Sequence, residues 1–295
     1  MKIAFIGDQP GKVHQNRCNM FRRYIPHSFD FFTHNRKTIR KIAKKYDIIY
    51  YASFTLYKKC PIKHPLVYGS ATSWKCIYGE TAKKDLRLLR KFQKVSANNL
   101  GLWKALRAKR PDIKYLPNGV DTNFFTPVEI DFNPNKIEIG WVGNSDREEK
   151  KYHSIFLPAK ARSGRKIKFH VIATSKSSSA RRLRSVKKMR RFYRNLHFFL
   201  VTSSYEGTPN PALEAAACGV PLVTTRVGNM PELVKHRANG FFVKCKIKSI
   251  LRRLLKLNDI TPEYYNLLKN NIRSSVVDGW DWQTAAGRFR TFFED

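Results

Sequence analysis

Short apolar runs recur along the chain, each closed by a glycine, a small polar cluster or a charge. In the first half they are Met1–Gly7 (MKIAFIG), Asp47–Ala52, Leu66–Tyr68 and Lys94–Ala97; in the second, Phe169–Ile172, Phe198–Val201 and Leu222–Thr225. Runs of this length without polar alternation predict strands buried on both faces, as in parallel sheets. Basic stretches such as Lys37–Lys45 and Thr81–Gln93 lie between them and predict helices, and Trp280–Phe293 predicts an amphipathic helix near the end. Strand and helix therefore alternate, the signature of an α/β protein. At 295 residues the chain has the size of two domains.

One stretch carries most of the chemistry. Ser203–Val234 reads SSYEGTPNPALEAAACGVPLVTTRVGNMPELV and follows the strand Phe198–Val201. A loop with Gly207, Pro209, Asn210 and Pro211 leads into the helix formers Leu213–Ala217, and Gly219 stops the helix before the next strand. Glu206 thus lies at the carboxyl end of a strand and Glu214 in the first turns of a helix, where ligands of open α/β sheets bind. A helix start favours phosphate, so two flanking carboxylates suit a nucleotide-sugar, diphosphate on the amides and hydroxyls on the acids. The same pair also fits general acid and base catalysis, or plain capping and solvated charge.

The stretch resembles the Glu-x7-Glu region of retaining, nucleotide-sugar-dependent glycosyltransferases of the two-Rossmann (GT-B) architecture, family 4 or group 1 type. Leu116–Asp121 (LPNGVD) with Phe125 and Pro127, Ile139–Gly143 (IGWVG) and Gly228–Glu232 match further segments of that family in the same order. The resemblance implies two Rossmann-like domains facing across a cleft. They would be an acceptor domain over 1–127, a linker over 128–136 and a donor domain over 137–278, with 279–295 crossing back to the first domain. It implies that Glu206 holds the donor sugar and Glu214 the ribose. Gly207, Thr208, Pro209 and Asn210 would lie at the diphosphate and sugar, Gly143 and Asn144 at the first strand's end, and Ala173 and Thr174 at the base.

Two positions depart from the family pattern. The family's diphosphate-clamping Arg is replaced by Asn144 or Ser145, with Arg147 nearby, and Lys150 or Lys151 stands where the family has a second cation. A leaving diphosphate demands a cation, so Lys150 is the expected catalytic partner of Glu206. On the acceptor side, Gly11 and Ser70, Thr72, Ser73 and Trp74 are the candidates, the last four standing where relatives carry a His.

Composition narrows the setting. No stretch reaches the ~20 apolar residues of a membrane span, and Met1–Gly7 is too short for a signal peptide, so a cytoplasmic protein is expected. Cys18, Cys60, Cys76, Cys218 and Cys245 form no metal-like spacing, nor do the eight His. The chain is expected to need no metal and no cofactor beyond its donor, a UDP- or GDP-type sugar with UDP favoured.

Charge is the second strong signal. Against 22 Asp and Glu stand 57 Lys and Arg, a net +35, far above the magnitude of about 2 to 8 that solubility asks of a small domain. The densest run holds Arg181, Arg182, Arg184, Lys187, Lys188, Arg190, Arg191 and Arg194 without an acid. Such charge implies a polyanionic partner, first of all DNA, with Trp74, Tyr78, Trp103 and Tyr193 as interleaved aromatics. Some virus-encoded GT-B enzymes glycosylate hydroxymethylated bases, which would place this protein in an infected host cell. An anionic membrane surface carrying a lipid or polysaccharide acceptor is the alternative, since many relatives are monotopic. A catalytically idle GT-B fold that binds nucleic acid and a Lys-rich proteome's habit complete the range.

Overall fold

The computed structural model describes the whole chain except residues 12, 36–38, 40, 42 and 176–184. It forms two compact units, Met1–Gly119 together with Trp282–Asp295, and Val120–Asp281. Of the helix expected over Lys37–Lys45, residues 37, 38, 40 and 42 lie outside the described residues, and Ala43–Lys45 form a short turn.

The first unit is a six-stranded parallel sheet of β1 (Lys2–Gly7), β2 (Ser28–Thr33), β3 (Ile48–Tyr51), β4 (Val67–Ala71), β5 (Lys94–Ala97) and β6 (Lys114–Tyr115). Their order is β2-β1-β3-β4-β5-β6. Side chains alternate across it: Ile3 and Phe5 enter one core with Phe21, Tyr50 and Phe289, while Ala4 and Ile6 enter the other with Tyr51, Phe54 and Phe92. Both faces are covered, which is why β1 is an unbroken apolar run. The helix Trp282–Glu294 supplies Phe289 and Phe293 to the first core, with Phe289 4.6 Å from the Phe21 ring. A Cβ at Gly119 would stand 2.8 Å from the Trp282 Cα, so the glycine of the LPNGVD segment admits the start of this helix.

The second unit is a five-stranded parallel sheet of β7 (Ile137–Asn144), β8 (Ile167–Thr174), β9 (Phe198–Val201), β10 (Leu222–Thr224) and β11 (Gly240–Phe242). Its order is β11-β10-β9-β7-β8. Alternation repeats: Phe198 and Leu200 face one core, Phe199 and Val201 the other. The segment after Gly119, which the sequence reading placed ahead of the linker, packs here. Phe125 meets the Tyr193 ring edge-on at 6.1 Å, and the Thr122 hydroxyl donates to Asp281 at 2.5 Å.

In each sheet the first strand lies between the second and the third, so the strand order reverses beside it. These switch points, β1/β3 in one unit and β7/β9 in the other, are where open α/β sheets open a crevice for ligands.

Candidate active site

Two loops meet at the switch point of the second unit. The one after β7 makes a turn over Glu148–Lys150 and continues through Lys151, whose φ of 53° is left-handed. The one after β9 runs from Thr202 to Pro209. They are stapled through main chain: the Ser204 N–H donates to the Glu149 carbonyl at 2.8 Å, and the Thr202 hydroxyl donates to the Lys150 carbonyl at 2.7 Å. The Trp141 indole N–H reaches the same hydroxyl at 3.1 Å.

This staple delivers Lys150 Nζ to Glu206 Oε1 at 2.5 Å, and Ser203 Oγ donates to the same oxygen at 2.8 Å. The side chains are 13% and 7% exposed, so the ion pair is largely out of water and its Coulomb attraction correspondingly strong. Lys150 also lines a small pocket with Trp141, Ser203, Pro209 and Pro211. Lys151 instead turns to Glu148 at 3.4 Å, and Arg147 is held by the buried Glu149.

Gly207, Thr208 and Pro209 lead into the helix Asn210–Ala217. The loop after β10 closes against them: at Gly228, with φ of 53°, a Cβ would lie 2.4 Å from the Gly207 carbonyl oxygen. Only glycine satisfies both conditions there. On the second turn of that helix, Glu214 Oε2 accepts from the Tyr193 hydroxyl at 2.7 Å. Burial raises the Glu214 carboxyl to about 7, and the tyrosine bond pulls the other way. Gly143 and Asn144 end β7 in register with Ala173 and Thr174 of β8, and the Ser145 N–H donates to the Thr174 carbonyl at 2.8 Å. The donor-side candidates therefore gather at one edge of one sheet.

The acceptor-side candidates lie in the first unit. Ser70 is buried at 1% exposure, its Oγ 2.6 Å from both Tyr50 Oη and Ser96 Oγ and 3.2 Å from Arg17 Nη2. Its hydroxyl is turned inward. Thr72, Ser73 and Trp74 are half-buried, and Trp74 stacks on the exposed Tyr78 at 5.5 Å with an interplanar angle of 11°. Gly11 is exposed with φ of 72°, its N–H donating to Gln15 at 2.5 Å.

The sequence reading missed the roles of four residues. Arg17 is buried with no carboxylate in ion-pair contact among the described residues; Tyr193, read as a surface aromatic, is wholly buried as the anchor of Glu214; Asp8 and His14 pair at 3.0 Å just past β1. The Trp103 indole is likewise committed inward, to the Ile113 carbonyl at 2.9 Å. Helical spacing, which puts Tyr193 on one face with Met189 and away from Lys188 and Arg191, was the available signal for Tyr193.

Of the basic run, Arg181, Arg182 and Arg184 lie outside the described residues. Lys187, Lys188 and Arg191 are exposed, whereas Arg190 stacks over Phe124 at 4.6 Å and Arg194 donates to the Thr126 carbonyl at 2.8 Å. Two of the run's cations are thus structural.

Two doubly wound parallel sheets, the second carrying a lysine–carboxylate pair at its switch point, define the GT-B class. Residues 136–259 match the family of glycosyl transferases, group 1. The chain is 26% identical over 98 residues to the UDP-Gal:alpha-D-GlcNAc-diphosphoundecaprenol alpha-1,3-galactosyltransferase of Escherichia coli, covering 33% of this chain and 25% of that protein. With the capsular polysaccharide biosynthesis glycosyltransferase CapM of Staphylococcus aureus it shares 29% over 112 residues, 35% of this chain and 28% of that protein. The matched segment thus spans about a quarter of the length of these curated relatives. The fold of the entire chain is that of Anabaena HepE, solved in complex with UDP and glucose: TM-score 0.78 at 14% identity, covering 100% of this chain and 99% of that one. Residues 136–259 thus carry the group 1 glycosyltransferase match, within a chain whose fold is of GT-B architecture.

Proposed function

We propose that the protein transfers a hexose or pentose from a nucleotide-sugar, UDP-type favoured, to a hydroxyl on a polyanionic acceptor, with retention of anomeric configuration and without a metal. The Lys150–Glu206 pair at the switch point carries this reading. A donor sugar hydroxyl would donate to the Glu206 carboxylate, and Lys150 would swing the short distance to the leaving diphosphate, sharing its charge with the helix start at Asn210. That cation and those amides supply the neutralisation for which other enzymes use a metal ion. The departing phosphate oxygen would take the acceptor proton. Glu214, anchored by Tyr193, would bind the ribose. UDP is favoured because HepE was solved with UDP and with UDP-glucose.

For the acceptor, the net +35 supports a phosphodiester polymer, first of all DNA with hydroxymethylated bases, in a cytoplasmic setting. The second reading is a glycan on an anionic lipid carrier at a membrane surface, favoured by the E. coli relative's diphosphoundecaprenol acceptor. Among the described residues no helix is long and apolar enough to cross a membrane, so such an enzyme would dock at the surface through its basic side chains. UDP release should be followed with UDP-sugars alone, with hydroxymethylated duplex, and with anionic vesicles carrying a polyprenyl-diphosphate sugar. Stimulation by duplex alone supports the first acceptor and stimulation by vesicles alone the second. Wild-type rates from Glu206→Gln would mark an idle site, and an inverted anomer in the product would refute retention.

A further inference from the structure

Besides Lys150, a second group of cations is built into the second unit. Arg226 follows β10 directly, and its guanidinium lies 4.0 Å from the centre of the Phe242 ring on β11. Arg253, from the helix Ile247–Leu255, lies 4.5 Å from the Phe241 ring. Between them His236 stacks on Phe242 at 6.2 Å with an interplanar angle of 18°. Arg237 completes the group with a left-handed φ of 68°.

The turn bearing His236 and Arg237 is rigid. Lys235 N–H donates to Asn239 Oδ1 at 2.8 Å, Arg237 N–H to the Gly240 carbonyl at 2.8 Å, and Asn239 Nδ2 to Ser275 at 3.0 Å. From the helix Pro262–Trp280, Tyr264 donates to the Arg237 carbonyl at 2.6 Å and Asn271 to the Ala238 carbonyl at 2.8 Å. A non-glycine residue at positive φ costs about 1 kcal/mol or more, so the fold holds Arg237 outward against a backbone preference. Like charges crowd: burial and the charges of Arg253, Arg237 and Arg226 together lower the His236 pKa. Among the described residues no carboxylate forms an ion pair with Arg226, Arg237 or Arg253.

We propose that Arg226, His236, Arg237 and Arg253 form a docking surface for the phosphate backbone of nucleic acid, an acceptor-holding surface that adjoins the donor loops through the loop after β10. The proposal rests on the polyanionic-acceptor reading above. Guanidinium groups held over phenyl rings, as those of Arg226 and Arg253 are, are positioned before a phosphate arrives, and this preorganisation lowers the ordering cost that flexible lysines carry. A membrane surface fits less well, because docking there uses large apolar residues for insertion. Among the described residues the exposed large hydrophobics of this unit are Val128, Val186, Leu255, Leu267 and Val277, of which only Leu255 shares an element with one of the four.

The test is duplex-oligonucleotide binding by the full chain across a potassium chloride series, comparing wild type, Arg226→Gln/Arg237→Gln and a control, Lys83→Gln/Lys84→Gln, with equal charge lost from the first unit. The arginine pair should make the plot of log affinity against log salt shallower by about two units, and weaken binding at low salt about tenfold more than the control does. In the complex, the His236 imidazole pKa should rise by NMR. Wild-type binding by the arginine variant, or a loss no greater than the control's, overturns the proposal. So does a wild type that ignores duplex, or one that loses anionic-vesicle binding instead through the same pair. UDP release from donor alone is read in parallel: if it persists in the arginine variant, a failed docking surface leaves the transferase reading intact.

Discussion

The two sheets share one strand order yet furnish their switch points in opposite ways. Between β7 and β9, a lysine and a carboxylate from two stapled loops pair at 2.5 Å, and the lysine lines a small pocket. Beside β1 and β3, Arg17 is sunk under four aromatic rings, Phe5, Phe21, Tyr50 and Phe289, at 5.3 to 5.7 Å, and its charge is met by hydroxyls of Tyr50 and Ser70 and by Asn118. One pair can be prised apart and re-used by a ligand; the other cluster is spent inside the fold. A shared topology thus fixes where a site can form, and the polarity and burial of a few side chains decide whether one does.

The comparison breaks most directly at Glu206. Glu206→Gln should lower kcat by about 10²–10³ with an unchanged thermal midpoint, and a variant that turns over normally removes the functional meaning of the pair. The reverse holds at Arg17. Arg17→Ala, which opens a cavity beneath the rings, should cost about 3 kcal/mol in urea unfolding, whereas Arg17→Met, apolar and of similar length, should cost about 1 kcal/mol or less. Equal losses from both would mean that the guanidinium hydrogen bonds, not packing, hold this region.

Glu214 sharpens the comparison through pH. Burial holds its carboxyl near 7 against an ordinary 4.5, so the folded chain binds this proton more tightly than the unfolded one. The resulting stabilisation is complete below pH 4.5 and is lost as pH rises through about 7, by up to roughly 3 kcal/mol. Thermal midpoints of Glu214→Gln should therefore fall less between those pH values than those of wild type. If the ionised carboxylate is the form that accepts the ribose hydroxyls, the donor KM of wild type should fall across the same range with kcat unchanged. Gly228→Ala, where a Cβ at positive φ would meet the Gly207 carbonyl, should cost about 1–3 kcal/mol and raise the donor KM while leaving the first unit's aromatic core untouched in near-ultraviolet circular dichroism.

Much of the fold was legible because doubly covered strands read as apolar runs: β5 and β9 fall on the expected residues, and β1, β3 and β10 within one of them at each end. β2 was not legible, because SFDFFT places an acid among aromatics on an edge strand that is only half covered. The helix expected over Thr81–Gln93 ends at Leu88 and tightens into a turn over Leu89–Lys91, so that Phe92 enters the core. Glu206, Lys150 and the loop glycines could be named as candidates through the resemblance to a known family, to which the need of a diphosphate for a cation added a physical reason. That Lys150 and not Lys151 meets Glu206 was decided by the left-handed turn at Lys151, which sends neighbouring side chains to different partners. The sequence by itself determined the alternation of elements and the positions of the candidate acids, both of which are local patterns. Only tertiary structure decided which hydroxyls and cations are spent in the interior, as Ser70, Arg17 and Tyr193 are, because burial and pairing depend on residues far apart in the chain and leave no trace in a local pattern.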